Sequence, residues 1–239
     1  MTSKAALFEG KKKYDFLTFD CYGTLIDWET GIRTAFEGLF DKTEINAAKR
    51  TELFNLYEQE ERVIELEQPF HRYQDVMKLS IRQAARKLGK EIQPALSELF
   101  AKQLSRWTPF PDTNPALERL ARKHKIGILS NVDDDLLQQT MKHFSVPFNL
   151  TITAEHIQSY KPNPKHFEEA RKVIGSDKRW LHVAASFYHD IRPATSLGIH
   201  SVWLNRSHSV IDKGEVLNLV KQVETLVELA DWLESSEPI

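Results

Sequence analysis

The chain has 239 residues, enough for one large α/β domain or for a core carrying a smaller insert. Its 41% hydrophobic and 28% charged residues exclude a disordered or fibrous chain, and 32 basic against 34 acidic residues exclude a broad electropositive face for nucleic acid. Cys21 is the single cysteine, which rules out an intrachain disulfide and a cysteine-rich zinc site and predicts a reducing compartment.

The N-terminal stretch MTSKAALFEGKKKYDF has no long apolar segment, and no run of about eighteen apolar residues follows it. A cytoplasmic protein with no membrane partner is therefore expected. Lys11 to Lys13 read as a solvated lead-in to a strand. Phe16-Leu17-Thr18-Phe19 is too short for a core helix, is rich in aromatics, and predicts a buried strand ending at Asp20.

Residues 28–106 have a different texture. Leu53, Leu56 and Tyr57 stay together inside a charged stretch, Val76, Ser80, Ala84 and Leu88 form a row ending at Gly89, and Pro94, Leu96, Leu99, Phe100 and Gln103 continue the helical spacing. This block predicts an all-helical second domain, with Trp107 to Pro111 as its return hinge. Beyond it, Asn114-Pro115 predicts a cap and first-turn proline for a helix with Leu117, Leu120 and Ala121 on one face.

Short apolar strands are predicted at Lys125 to Leu129, Trp180 to Ala185 and Ile199 to Leu204. Between them, Leu136, Leu137, Thr140, Met141 and Phe144 form one helical face, and Phe167, Ala170, Val173 and Ile174 form another that Gly175 stops. Val223, Leu226, Val227, Ala230 and Leu233 repeat at helical spacing near the end. The alternation predicts an α/β fold, a Rossmann-like parallel sheet flanked by helices, with residues 1–27 and 107–239 as the core.

Ligands of open parallel sheets bind beyond the carboxyl ends of the strands. Asp20, Ser130-Asn131 and Asp190 fall at such ends, and Lys161 sits in the proline-rich loop SYKPNPKHF. Each alone reads as a turn residue, a helix cap or a surface lysine. Their convergence at several strand ends points to a site.

Phe19-Asp20-Cys21-Tyr22-Gly23-Thr24-Leu25, Ile128-Leu129-Ser130-Asn131, Lys161-Pro162 with Pro164, and Val183 to Asp190 occur in that order. Together they resemble the motifs of the haloacid dehalogenase-like hydrolase superfamily, and residues 28–106 match its helical cap. The resemblance implies that Asp20 is a covalent nucleophile, that Thr24 and Ser130 orient the reacting oxygens, that Lys161 neutralises the carboxylates, and that Asp190 completes the site. Phosphatases of the superfamily place an acid two residues after the nucleophile, where this chain has Tyr22. That substitution resembles the L-2-haloacid dehalogenases, because a halide leaves without a proton whereas an alkoxide needs one.

The implied substrate is a small anionic 2-haloacid, hydrolysed through an aspartyl ester without a cofactor. Backbone groups at Cys21 and Tyr22, with Ser130 and Asn131, would hold its carboxylate. Arg50 is the candidate cradle for the halide, with Arg33 and Arg72 as alternatives. The chain departs from the characterised dehalogenases at Ala185, Phe187 and Phe167, where they carry serine, asparagine and tyrosine. His189, with Ser186 or Tyr188, is the expected compensation. Lys161 is expected to favour ionised Asp20. No metal ligand is expected. Two other readings stay open: a magnesium-dependent phosphatase of the same superfamily, and a non-catalytic binding protein on this fold. The apolar faces of the helical block are compatible with a homodimer.

Overall fold

In the computed structural model, which describes residues 14–40, 46–210, 216 and 218–235, β1 (Phe16–Phe19) is buried at every position. Lys11 to Lys13 lie outside the described residues. β1 occupies the middle of a six-stranded sheet, between β2 (Lys125–Ser130) and β4 (Trp180–Ala184), both parallel to it. β3 (Leu150–Thr153) lies outside β2, and β5 (His200–Leu204) and β6 (Leu219–Val223) lie outside β4, giving the order β3-β2-β1-β4-β5-β6. The side chains of β1 alternate: Leu17 and Phe19 join one apolar cluster, while Phe16 packs with Leu129, Ile152, Phe167 and Trp180 on the other face.

The four strands with strong apolar runs match the sequence reading, and β3 and β6 do not appear in it. Both are edge strands. Leu150 and Thr151 are incompletely buried, and Lys221 and Gln222 of β6 are exposed, so neither segment carries the continuous apolar pattern of a strand covered on both faces.

Between β1 and β2 run α1 (Trp28–Glu37), α2 (Ala47–Glu65), α3 (Tyr73–Lys87), α4 (Pro94–Ala101) and a 3-10 turn at Leu104–Arg106, with no strand among the described residues of this stretch. Leu53, Tyr57 and Ile64 of α2 are buried with Met77, Ile81 and Ala84 of α3, and Phe36 stacks on Phe100 with ring centroids 5.7 Å apart. Gly89, with φ 69°, takes the left-handed conformation that ends α3. α5 (Thr113–Ala121), α6 (Asp134–Thr140), α7 (Ala154–Ile157), α8 (Lys165–Ile174), α9 (Arg192–Ser196) and α10 (Leu226–Ser235) accompany the sheet.

Two local expectations change. Asn114 does not cap α5. The helix already begins at Thr113, and the Asn114 side chain instead bridges the His143 carbonyl and the Ser145 N–H. Val223 ends β6, and the helical face starts three residues later at Leu226.

The helical block is tied to the sheet at defined points. The Asp133 carboxylate, in the loop after β2, accepts the N–H groups of Tyr73 at 2.7 Å and Gln74 at 3.0 Å, so an anion from the sheet side caps α3. The chain leaves and returns side by side, with Asp27 N–H donating to the Thr108 carbonyl at 3.0 Å and Phe110 N–H to the Leu25 carbonyl at 3.1 Å. Gly31 packs directly on Trp107, where an added Cβ would sit 2.4 Å from the indole Cγ. Gly31→Ala is therefore expected to destabilise by about 1–3 kcal/mol through overpacking. That cost should appear as a melting temperature lower by roughly 3–10 °C. An unchanged melt would show that this junction has slack.

Candidate active site

Backbone hydrogen bonding extends β1 by one residue, since Asp20 N–H donates to the Val183 carbonyl at 3.1 Å. The chain then turns sharply. The Cys21 carbonyl accepts N–H groups from Thr24, Leu25 and Ile26, and Gly23 adopts φ 87°, which side chains disfavour. The turn brings Thr24 back to Asp20: its hydroxyl donates to Asp20 Oδ2 at 2.8 Å and accepts the Ala185 N–H at 3.0 Å. Thr24 thus locks the carboxylate against the end of β4.

Lys161 stands at the centre of the constellation. Its Nζ donates to Asp20 Oδ1 at 2.9 Å, Asp190 Oδ1 at 2.6 Å and the Leu129 carbonyl at 2.8 Å, which uses all three ammonium hydrogens in a site where the side chain is 1% exposed. Asn131 clamps the Lys161 backbone by accepting its N–H at 2.7 Å and donating to its carbonyl at 3.0 Å.

Beneath Asp190 lies a support that the sequence reading missed. Parallel pairing sets Thr18 beside His182. Trp180 Nε1 donates to Thr18 Oγ1 at 2.7 Å, Thr18 Oγ1 lies 2.9 Å from His182 Nδ1, and His182 Nε2 lies 3.1 Å from Asp190 Oδ1. Phe167 meets the His182 ring edge to face at 5.0 Å. With the side chains of Ala185 and Phe187 unable to hydrogen-bond, His182 orients Asp190 from inside the sheet. His189 does not fill that place, although it was the expected compensation.

A cavity of about 410 Å³ opens above these groups. Asp20, Tyr22, Ser130, Asn131, Lys161, Ser186, His189 and Asp190 line it, and α2 closes the far side with Glu58, Glu61, Arg62 and Glu65. The Ser130 hydroxyl and Asp190 Oδ2 are buried at its floor and make no hydrogen bond to the protein. Tyr22 donates to or accepts from Thr140 Oγ1 at 2.8 Å and meets Trp107 edge to face, so it is both wall and packing residue.

Several expected ligand contacts are not brought there. The Cys21 side chain is buried in the apolar cluster, which leaves its backbone N–H as the group that could meet a ligand. Arg50 lies 3.4 Å from Glu37, Arg33 pairs with Glu29, and Arg72 pairs with Asp135 and Glu155, all away from the cavity lining. Arg62 is the guanidinium that faces it among the described residues. Its signal was present as the Glu58-Glu61-Arg62-Glu65 row, but a polar row at helical spacing reads equally well as a solvated face.

Burial dominates the electrostatics. It pushes the Asp20 carboxyl up, with the neighbouring Asp190 charge adding to the rise, while Lys161 opposes it and favours the ionised form. Asp190 goes the other way: against the effect of burial, Lys161 and His182 hold it down to about 2. Burial would lower Lys161, but its two carboxylates hold it at about 12. On α2, burial pushes Glu61 up to about 7 even though Tyr57 and Tyr73 hydroxyls donate to it, and it pushes Glu65 well above its ordinary value.

Among the described residues no group of three or more His, Cys, Asp or Glu side chains could hold a metal ion, and Asp20 Oδ1, Asp20 Oδ2 and Asp190 Oδ1 each accept a protein hydrogen bond.

The family model described as haloacid dehalogenase-like hydrolase matches residues 17–204, from β1 through β5. The chain belongs to that family. Among curated relatives, an (S)-2-haloacid dehalogenase of Pseudomonas putida is 25% identical over 238 residues, covering 94% of this chain and 99% of the relative. The crystal structure of an L-2-haloacid dehalogenase superposes with a TM-score of 0.79 at 21% identity, covering 92% of this chain and 99% of that one. Another, from Xanthobacter autotrophicus with chloropropionic acid covalently bound, gives 0.76 at 18% identity, covering 93% and 99%. The chain is thus a dehalogenase-like hydrolase of the haloacid dehalogenase-like family. Among its described residues no helix is long and apolar enough to cross a membrane.

Proposed function

We propose that the chain hydrolyses the carbon–halogen bond of a small 2-haloacid to the 2-hydroxyacid through an ester on Asp20, without a cofactor. What carries this reading is the bond between Lys161 Nζ and Asp20 Oδ1 at the cavity floor, combined with Tyr22 where an alkoxide-leaving reaction would call for an acid. Asp20 attacks the halogen-bearing carbon, the carbon–halogen electron pair leaves with the halide, and water then attacks the ester carbonyl. Lys161 screens the nucleophile against an anionic substrate, and Asp190 holds the Lys161 ammonium in place. Residues 28–106 act as the cap and residues 1–27 with 107–239 as the core. Arg62 and the Ser130 hydroxyl, rather than Arg50, meet the substrate's carboxylate or its halide.

The test is halide release from short 2-haloacids with and without magnesium, with Asp20→Asn as control. Release independent of metal and absent in the variant is expected. Phosphate-ester turnover that requires magnesium, with no halide release, would reject the reading.

Glu61 gives this reading a pH signature. Above about 7 it adds a negative charge to a cavity that must admit an anion. KM for the 2-haloacid is therefore expected to rise roughly 3- to 10-fold from about pH 6 to about pH 8, and Glu61→Gln should flatten that rise. A level wild-type KM over the same range would contradict it.

A further inference from the structure

Asp190 is poorly suited to take a proton from water. Its Oδ1 accepts from both Lys161 and His182, which hold the carboxyl down, and its Oδ2 is buried out of reach of water. The second half of the proposed reaction therefore lacks a base among the residues of the core motifs.

A different set of groups crosses the cavity. A π-helical turn, Phe187–Ile191, follows β4 and carries His189. Ser186 Oγ accepts the His189 backbone N–H at 3.1 Å and lies 3.1 Å from His189 Nδ1, which pins the ring. The other ring nitrogen, Nε2, faces Glu65 Oε2 of α2 at 3.7 Å, with the Glu65 side chain 7% exposed. That gap is longer than a hydrogen bond, so Nε2 is not consumed by the carboxylate. Ser186, His189 and Glu65 all line the cavity that holds Asp20. Burial keeps His189 down to about 4, so its ring is neutral at neutral pH and Nε2 carries a free lone pair.

We propose that His189 Nε2, with Glu65 of α2 beside it and Ser186 fixing its ring, removes the proton from the water that hydrolyses the Asp20 ester. The inference rests on the aspartyl-ester reading above. The water oxygen bonds to Asp20 Cγ as one of its protons passes to Nε2. The tetrahedral adduct then collapses, the bond from Cγ to the substrate oxygen breaks, and that oxygen takes the proton from Nε2 to become the hydroxyl of the product. The second water hydrogen is lost as Asp20 ionises. Because Glu65 comes from α2, the base is complete only while α2 lies over the core.

Rapid-mixing halide release, followed by mass analysis of the quenched protein, tests this in wild type, His189→Gln and Glu65→Gln, with thermal melts to verify folding. His189→Gln is expected to release about one equivalent of halide per chain at the wild-type rate, then turn over about 100-fold or more slowly with the adduct retained on Asp20. Glu65→Gln should show the same pattern, less severely. Wild-type steady-state rates without adduct in a folded His189→Gln protein would overturn the inference alone, as would loss of its initial burst. A wild-type protein that releases no halide would overturn the ester reading, and this inference with it.

Discussion

Lys161→Met is expected to abolish measurable turnover, a loss of about 1,000-fold or more, and to destabilise the protein by roughly 3–5 kcal/mol at neutral pH. Methionine fills similar space but leaves Asp20 and Asp190 buried together without their shared cation. The sign of the pH effect follows. In the wild type, Asp190 is depressed to about 2, so its contribution is present above the ordinary carboxylate range and is lost as pH falls toward about 2. In the variant both carboxyls rise, because only Thr24 and His182 still oppose burial, and the penalty grows as pH rises. Melts at mildly acidic and mildly alkaline pH should therefore diverge from wild type most on the alkaline side. A variant that melts with wild type at both would show that Lys161 does not hold the pair.

Asp20→Asn is expected to lower turnover by about 100,000-fold or more, since a neutral amide oxygen is no substitute for a carboxylate nucleophile. Its fold should survive. Asparagine keeps the shape, Lys161 retains Asp190 and the Leu129 carbonyl, and one buried charge disappears. A melt within a few degrees of wild type together with absent halide release is the expected pair of results. Residual activity above about one part in a hundred would move the nucleophile elsewhere.

The covered strands and the polar residues near their ends were legible because burial on both faces forces unbroken apolar runs, which Asp20 and Ser130 end and Asp190 follows in the turn after β4. The edge strands β3 and β6 were not, since half-exposed positions such as Thr151 and Lys221 break the pattern. Lys161 was found through its motif, and its Nζ donates to Asp20, Asp190 and the Leu129 carbonyl. His182 escaped notice because it sits inside an apolar strand, where its meaning depends on the register that sets it beside Thr18. The cavity wall on α2 escaped for another reason. Which face of a charged helix turns inward depends on packing against α3 and the core, and Arg62 was no more conspicuous than Arg50 until that packing was known.

The central claim is a covalent bond between Asp20 and substrate, and oxygen labelling tests it most directly. With protein in excess over 2-haloacid in water enriched in heavy oxygen, one turnover should place the label in the Asp20 carboxylate and leave the hydroxyacid unlabelled, because its new oxygen comes from the aspartate. Label found in the hydroxyacid of that first turnover, with the Asp20 peptide unchanged, would mean that water attacks the substrate carbon directly and would contradict the account.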